Sequence, residues 1–83
     1  MTENGELLRA VRDAWAETLG IEADAVPLEE GFFEAGGNSL LLLLLWERLN
    51  ELTGRDLRAT DLFLHPTVRA QAALLLSADG ERR

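Results

Sequence analysis

The 83-residue sequence predicts an all-α domain. Apolar residues recur at three- and four-residue spacings in separate stretches, glycine follows two of those stretches as a helix stop, and a run of six leucines is apolar all the way round. The length allows one domain over residues 1–83, with a core over about residues 6–76 and a polar tail over 77–83. A chain this short buries only about 60 to 65% of the surface its unfolded form exposes, so function is expected on the outside rather than in a deep pocket.

The first helix is expected from Leu7 to Leu19, where Leu8, Val11, Trp15 and Leu19 fall on one face. Asn4 is placed to cap it, and Gly20 to end it in the left-handed conformation with Ile21 packing back. Residues 22–38 hold Pro27, three glycines and several acids, yet also Val26, Leu28, Phe32 and Phe33, too many large apolar groups for a solvated linker. An ordered loop is expected, with these side chains tucked against the helices.

The second helix is expected from Ser39 to Thr53, with Gly54 as its stop. Leu40 to Leu45 and Trp46 form a run of seven apolar residues, far short of the roughly 20 needed to cross a bilayer, and Glu47 and Arg48 end it. Helical stepping separates a core stripe of Leu42, Leu45, Trp46, Leu49 and Leu52 from Leu41, Leu43 and Leu44, whose faces turn charged one turn later. An exposed apolar patch from these three leucines reads as an interaction surface. A short third helix is expected over Thr60 to Leu64, with Asp61 complementing its dipole, and a last helix opened by Pro66 and running to Leu76. The 77–83 tail is expected to fray.

Composition narrows the function classes. The absence of cysteine removes disulfides, thiolate metal sites and a cysteine nucleophile. Eight arginines and no lysine against 15 acids give a net charge of −7, which disfavours nucleic acid and anionic membranes and favours basic partners. The arginine-only usage hints at a GC-rich bacterial genome. No signal peptide is evident at the N-terminus, so a cytoplasmic location is expected. The single histidine, His65, sits in a predicted turn and is assigned no catalytic role, and the carboxylates lack metal-ligand spacing. The Gly36-Gly37 pair belongs to neither a dinucleotide fingerprint nor a P-loop. No catalytic residue and no metal site are expected.

Ser39, between the glycine-rich turn and the leucine helix, has two readings from position alone: an N-cap, or a reactive hydroxyl on display. The segment Phe32-Phe33-Glu34-Ala35-Gly36-Gly37-Asn38-Ser39-Leu40-Leu41 resembles the attachment motif of peptidyl carrier proteins. Trp15-Ala16-Glu17-Thr18-Leu19-Gly20-Ile21 resembles the end of that family's first helix, and Asp61 to Arg69 its third helix and following turn, so the resemblance spans nearly the whole chain.

The resemblance implies a four-helix acyl-carrier-protein-like bundle with three longer helices, one short third helix and a long first loop. It implies a phosphopantetheine arm, donated by coenzyme A and joined to Ser39 by a phosphopantetheinyl transferase, with Gly36, Gly37 and Asn38 as the attachment loop. Leu40, Leu41, Leu43, Leu44, Glu47 and Phe63 are the implied partner face, Phe63 being equally readable as core. Implied partners are an adenylation enzyme and condensation, tailoring or thioesterase enzymes, served by a monomeric carrier that is not itself an enzyme. Because the chain opens on Met1 and stops soon after its last helix, a discrete, free-standing form in specialised metabolite or antibiotic biosynthesis is expected.

Gly31 and Ala35 depart from the usual loop residues, and Asn38 and Leu44 stand where other residues are common, which bears on partner choice. Physics favours the assignment: glycines keep bulk from the serine, and a phosphodiester at a helix start meets the positive end of the dipole. The alternatives are an acyl or aryl carrier for polyketide or fatty-acid chemistry, and an unmodified helical adaptor binding through helix two.

Overall fold

The computed structural model describes residues 3–81, with side chains from residue 5 to residue 76. Its regular elements are four α-helices, α1 (Glu3–Leu19), α2 (Ser39–Thr53), α3 (Ala59–Leu64) and α4 (Val68–Glu81), and a single 3-10 turn at Ala23–Ala25 within the first loop. No strand occurs among the described residues, as the helical spacings predicted. No described helix is long and apolar enough to cross a membrane.

α1 packs against α4 and α2, and α3 against α2. Val11 and Trp15 of the predicted stripe are fully buried, and Leu8 and Leu19 pack at the core's edge. Ala14 and Ala16, outside that stripe, are buried too, because α1 is covered on two sides and its small residues let the neighbours approach. Gly20 ends the helix at φ 73°, and the N–H groups of Gly20 and Ile21 both donate to the Ala16 carbonyl. Ile21 does not pack back fully and remains 39% exposed. α1 begins at Glu3, so Asn4 lies inside the first turn rather than capping it. The Asn4 side chain lies outside the described residues.

α2 has the predicted bounds, and Gly54 closes it at φ 69° with its N–H on the Asn50 carbonyl. Leu42, Leu45 and Leu49 are buried, whereas Leu52 is 59% exposed. On the wheel Leu52 lies only about 20° beyond the fully buried Leu45, and it is exposed because it faces an open cleft beside α1 rather than a covering side chain. Trp46 is half-buried and donates its indole N–H to the Leu57 carbonyl at 2.6 Å, while the Asn50 side chain accepts from the Leu57 N–H at 2.9 Å. These bonds hold the α2–α3 connection against α2 and bury Leu57.

α3 starts one residue earlier than predicted. The Arg58 N–H donates to the Asp61 carboxylate and the Asp61 N–H to the Arg58 carbonyl, both at 2.9 Å, a reciprocal bracket that fixes the first turn. α4 opens at Val68 rather than Pro66, because the Thr67 hydroxyl accepts from the Ala70 N–H and makes Thr67 the cap. It continues past Leu76 to Glu81, since no proline stops it and a helical Gly80 costs only about 1 kcal/mol. Residues 82–83 of the expected tail lie outside the described residues.

A buried polar relay crosses this core. The Trp15 indole N–H donates to the Gln71 side-chain carbonyl at 2.9 Å, and the Gln71 amide donates to the His65 carbonyl at 2.9 Å. Gln71 is 1% exposed, so its amide is retained inside only because both ends are satisfied.

Candidate functional site

The loop that leads to Ser39 is stitched to the far side of the chain before it reaches α2. The Arg69 N–H donates to the Leu28 carbonyl and the Phe32 N–H to the Pro66 carbonyl, at 3.1 and 2.9 Å. An Arg69–Glu29 ion pair at 3.1 Å lies over the same seam, exposed and correspondingly weak. Val26 and Phe32 are buried, and Leu28 packs at the core's edge, as their apolar character predicted. Phe32 presents its ring to Trp15 edge to face, with centroids 4.9 Å apart.

Phe33 differs: it is 45% exposed rather than tucked in. Residues 31–37 form tight consecutive turns, with Ala35 N–H on the Gly31 carbonyl, Gly36 N–H on the Phe33 carbonyl and Gly37 N–H on the Phe32 carbonyl. In such a turn neighbouring side chains diverge, so Phe32 points in and Phe33 out.

The two glycines have separate reasons. Gly36 sits at φ 113°, where a side chain is strained. Gly37 lies against the buried Phe32 ring, and a Cβ there would collide with ring carbons. Clearing space for an incoming enzyme was the reason expected for both, but at Gly37 the nearer constraint is internal packing.

Asn38 is extended, at φ −147° and ψ −177°, and its side-chain oxygen accepts from the Leu41 N–H at 2.9 Å. Asn38, not Ser39, is therefore the N-cap of α2. Ser39 is the first helical residue, exposed, and no protein group holds its hydroxyl among the described residues. The N–H groups of Ser39 and Leu40 are first-turn donors without a partner in the helix, and the positive end of the helix dipole lies there. An oxygen-linked phosphodiester fits this position: the hydroxyl is open to solvent, and nearby donors face the negative charge.

Around Ser39 the leucine run divides. Leu40 is 67% exposed, and Leu43 and Leu44 are close to half exposed. Leu41, expected outside with them, is half-buried against the core. Glu47 is exposed, as is Phe63, which resolves its two readings in favour of the surface. Phe63 lies beside Phe33, ring centroids 6.1 Å apart and planes tilted by 33°. The two rings border an open groove of about 530 Å³ that reaches Leu42 and Leu62 and is rimmed by Glu30 and Glu34. The groove and the Phe33 contact were missed in the sequence. The adjacent Phe32-Phe33 pair was the available signal, because a tight turn can bury only one of two neighbours.

Comparison with known proteins places this geometry in a family. A family model described as "Phosphopantetheine attachment site" matches residues 9–75. The nonribosomal peptide synthetase acrB of Aspergillus aculeatus is 44% identical over 69 residues, covering 83% of this chain and 4% of the synthetase. A plipastatin synthase of Bacillus subtilis is 33% identical over 76 residues, covering 92% of this chain and 2% of that protein. The chain thus spans only a few per cent of these curated relatives. Among solved structures, a free-standing peptidyl carrier protein from an uncharacterized Acinetobacter baumannii secondary metabolic pathway superposes with a TM-score of 0.82 and 26% identity, over 89% of this chain and 92% of that one. The McyG A-PCP structure complexed with phenylalanyl-adenylate gives 0.77 and 35%, over 90% of this chain and 11% of that one.

Proposed function

Because the chain belongs to the phosphopantetheine attachment-site family and is a carrier domain of the nonribosomal-peptide kind, we propose that Ser39 is the residue to which the arm is joined and that the cargo is aminoacyl or peptidyl. The family implies a covalently attached phosphopantetheine, which supplies a terminal thiol to hold cargo as a thioester. The protein's own contribution is to display one hydroxyl and a docking surface, with no chemistry of its own.

One observation carries the assignment to Ser39: Asn38 takes the capping bond and leaves the serine hydroxyl exposed and uncommitted. The sequence adds to it. The chain has two serines, Ser39 and Ser77, and only Ser39 falls within the matched residues 9–75. The proposed docking surface for the transferase and for enzymes that read the arm is Leu40 and Leu43, exposed on the first turns that follow the serine, together with the exposed, adjoining rings of Phe33 and Phe63. An adenylation enzyme is the proposed loading partner, supported by the likeness to the McyG A-PCP protein. A free-standing mode of action is supported by the likeness to the Acinetobacter baumannii carrier, whose chain is matched over 92% of its length.

The test is intact mass after incubation with coenzyme A and a broad-specificity phosphopantetheinyl transferase. The expected result is a gain of one arm by the parent and by Ser77→Ala, and none by Ser39→Ala. No gain by the parent, under a transferase that modifies another carrier in the same tube, overturns the proposal and favours an unmodified helical adaptor. Loading by malonyl or fatty acyl groups alone, with amino acids refused, overturns the peptidyl assignment.

A further inference from the structure

Between the first half of α1 and the 3-10 turn at Ala23–Ala25 lies a cavity of about 490 Å³ that the proposed function does not use. Leu8, Arg9, Arg12 and Asp13 line it from α1, gathered on one face by their three- and four-residue spacings, and Ala23 and Asp24 line it from the turn. Leu8 and Ala23 pack against the core and give the cavity its apolar part. The two arginines are the anomaly. Arg12 is half-buried, its Nε–H is shut off from solvent without an acceptor, and neither Arg9 nor Arg12 makes an ion pair or side-chain hydrogen bond with any described residue. Acids are not scarce, since the chain has 15 against eight arginines. Arg48, half-buried like Arg12, is paired with Glu17 at 2.7 Å, and the exposed Arg69 with Glu29 at 3.1 Å. A half-buried guanidinium with no counter-ion carries a desolvation cost that an anion from outside the chain offsets.

The lining sets the occupant. Two guanidiniums against the Asp13 and Asp24 carboxylates leave the cavity with no net charge, inside a chain of net charge −7. A dense polyanion is therefore not attracted, whereas a single carboxylate matches the fork of a guanidinium and forms the charge-assisted bonds that the chain itself does not supply. Leu8 and Ala23 beside the arginines suit an apolar neighbour of that carboxylate. We propose that this cavity docks a segment of a partner protein in which a glutamate or aspartate adjoins an apolar side chain, with Arg9 and Arg12 holding the carboxylate. The position adds a consequence. Ala10 and Asp13 line a cleft with Leu52, so this part of α1 lies level with a point 13 residues along α2 from Ser39, about 20 Å of helix. A partner seated there leaves Ser39 open, so the protein can be held by one protein while it meets another. The inference does not require Ser39 to carry an arm.

The test titrates the isotope-labelled full chain with an end-blocked synthetic peptide of about eight residues, glutamate-leucine pairs set between glycines and serines, followed by two-dimensional amide NMR. Saturable shifts concentrated at Leu8, Arg9, Arg12, Ala23 and Asp24 are expected, weakening as salt rises. Arg12→Met is expected to weaken binding about tenfold or more and yet to melt at or above the parent temperature, because it removes an unsatisfied buried donor. Arg9→Gln, an exposed change that leaves the fold untouched, is expected to weaken binding as well. Arg69→Gln, which alters net charge equally but lies outside the cavity, is expected to bind as the parent does. The inference is overturned by shifts centred on α2, by no saturable shift up to about 1 mM peptide, or by equal binding of the peptide with glutamine in place of glutamate. It is overturned too by unchanged affinity in Arg9→Gln, by equal weakening in Arg69→Gln, or by an Arg12→Met melting temperature about 5 °C or more below the parent, which marks Arg12 as structural. Failure to modify Ser39 bears on the attachment assignment alone.

Discussion

Substituting Gly37 by alanine probes how the core shapes the segment that presents Ser39. The added Cβ runs into the Phe32 ring, which is 1% exposed and cannot swing away. Its edge-to-face contact with Trp15 at 4.9 Å holds the ring, and bonds from the Phe32 N–H to the Pro66 carbonyl and from the Gly37 N–H to the Phe32 carbonyl hold the backbone. Overpacking of this kind costs about 1–3 kcal/mol. For a domain of this size each kcal/mol lowers the melting temperature by roughly 4–8 °C. Thermal and urea melts followed by circular dichroism measure the loss. The decisive version is a double-mutant cycle with Phe32→Leu, which shrinks the obstructing side chain. Gly37→Ala is expected to cost at least about 1 kcal/mol less in that background than in the parent. The reasoning is refuted if Gly37→Ala melts with the parent, or if its cost is the same with and without the ring.

Other outcomes follow from the same contacts. Asn38→Ala removes the cap of α2 and is expected to cost about 1 kcal/mol in a denaturant melt, whereas Asn38→Asp, which retains an accepting oxygen, should cost far less. Gln71→Leu strands the Trp15 indole N–H and the His65 carbonyl inside the protein, and a loss of about 2 kcal/mol or more is expected with a changed near-ultraviolet tryptophan signal. Phe63→Ser and Leu43→Ser touch exposed groups and should leave stability within about 0.5 kcal/mol of the parent, yet slow arm transfer to Ser39 in a transferase time course.

The helices were legible because their signals are local. Gly20 and Gly54 take the left-handed conformation at the predicted stops, and Val11, Trp15, Leu42, Leu45 and Leu49 are buried where the wheel places them. The misses share a cause, which is tertiary context. Leu52 lies on the predicted stripe yet faces the cleft with α1, and Leu41 is half-covered because the core extends further round α2 than one stripe. Gln71 reads as a surface residue until Trp15 and the His65 carbonyl are placed beside it. Near Ser39 the motif was visible, but the division of labour was not. Serine and asparagine are both good caps, and only the geometry assigns the bond to Asn38.

Trypsin offers the most direct reading of where the arm is joined, since the chain has no lysine and the peptide Asp13–Arg48 holds Ser39 while Ser77 falls in the separate peptide Ala70–Arg82. After transferase treatment, tandem mass spectrometry should find the phosphopantetheine on Asp13–Arg48, with fragment ions locating it at residue 39. An arm on Ala70–Arg82, or on no peptide at all under a transferase active on another carrier, contradicts the account.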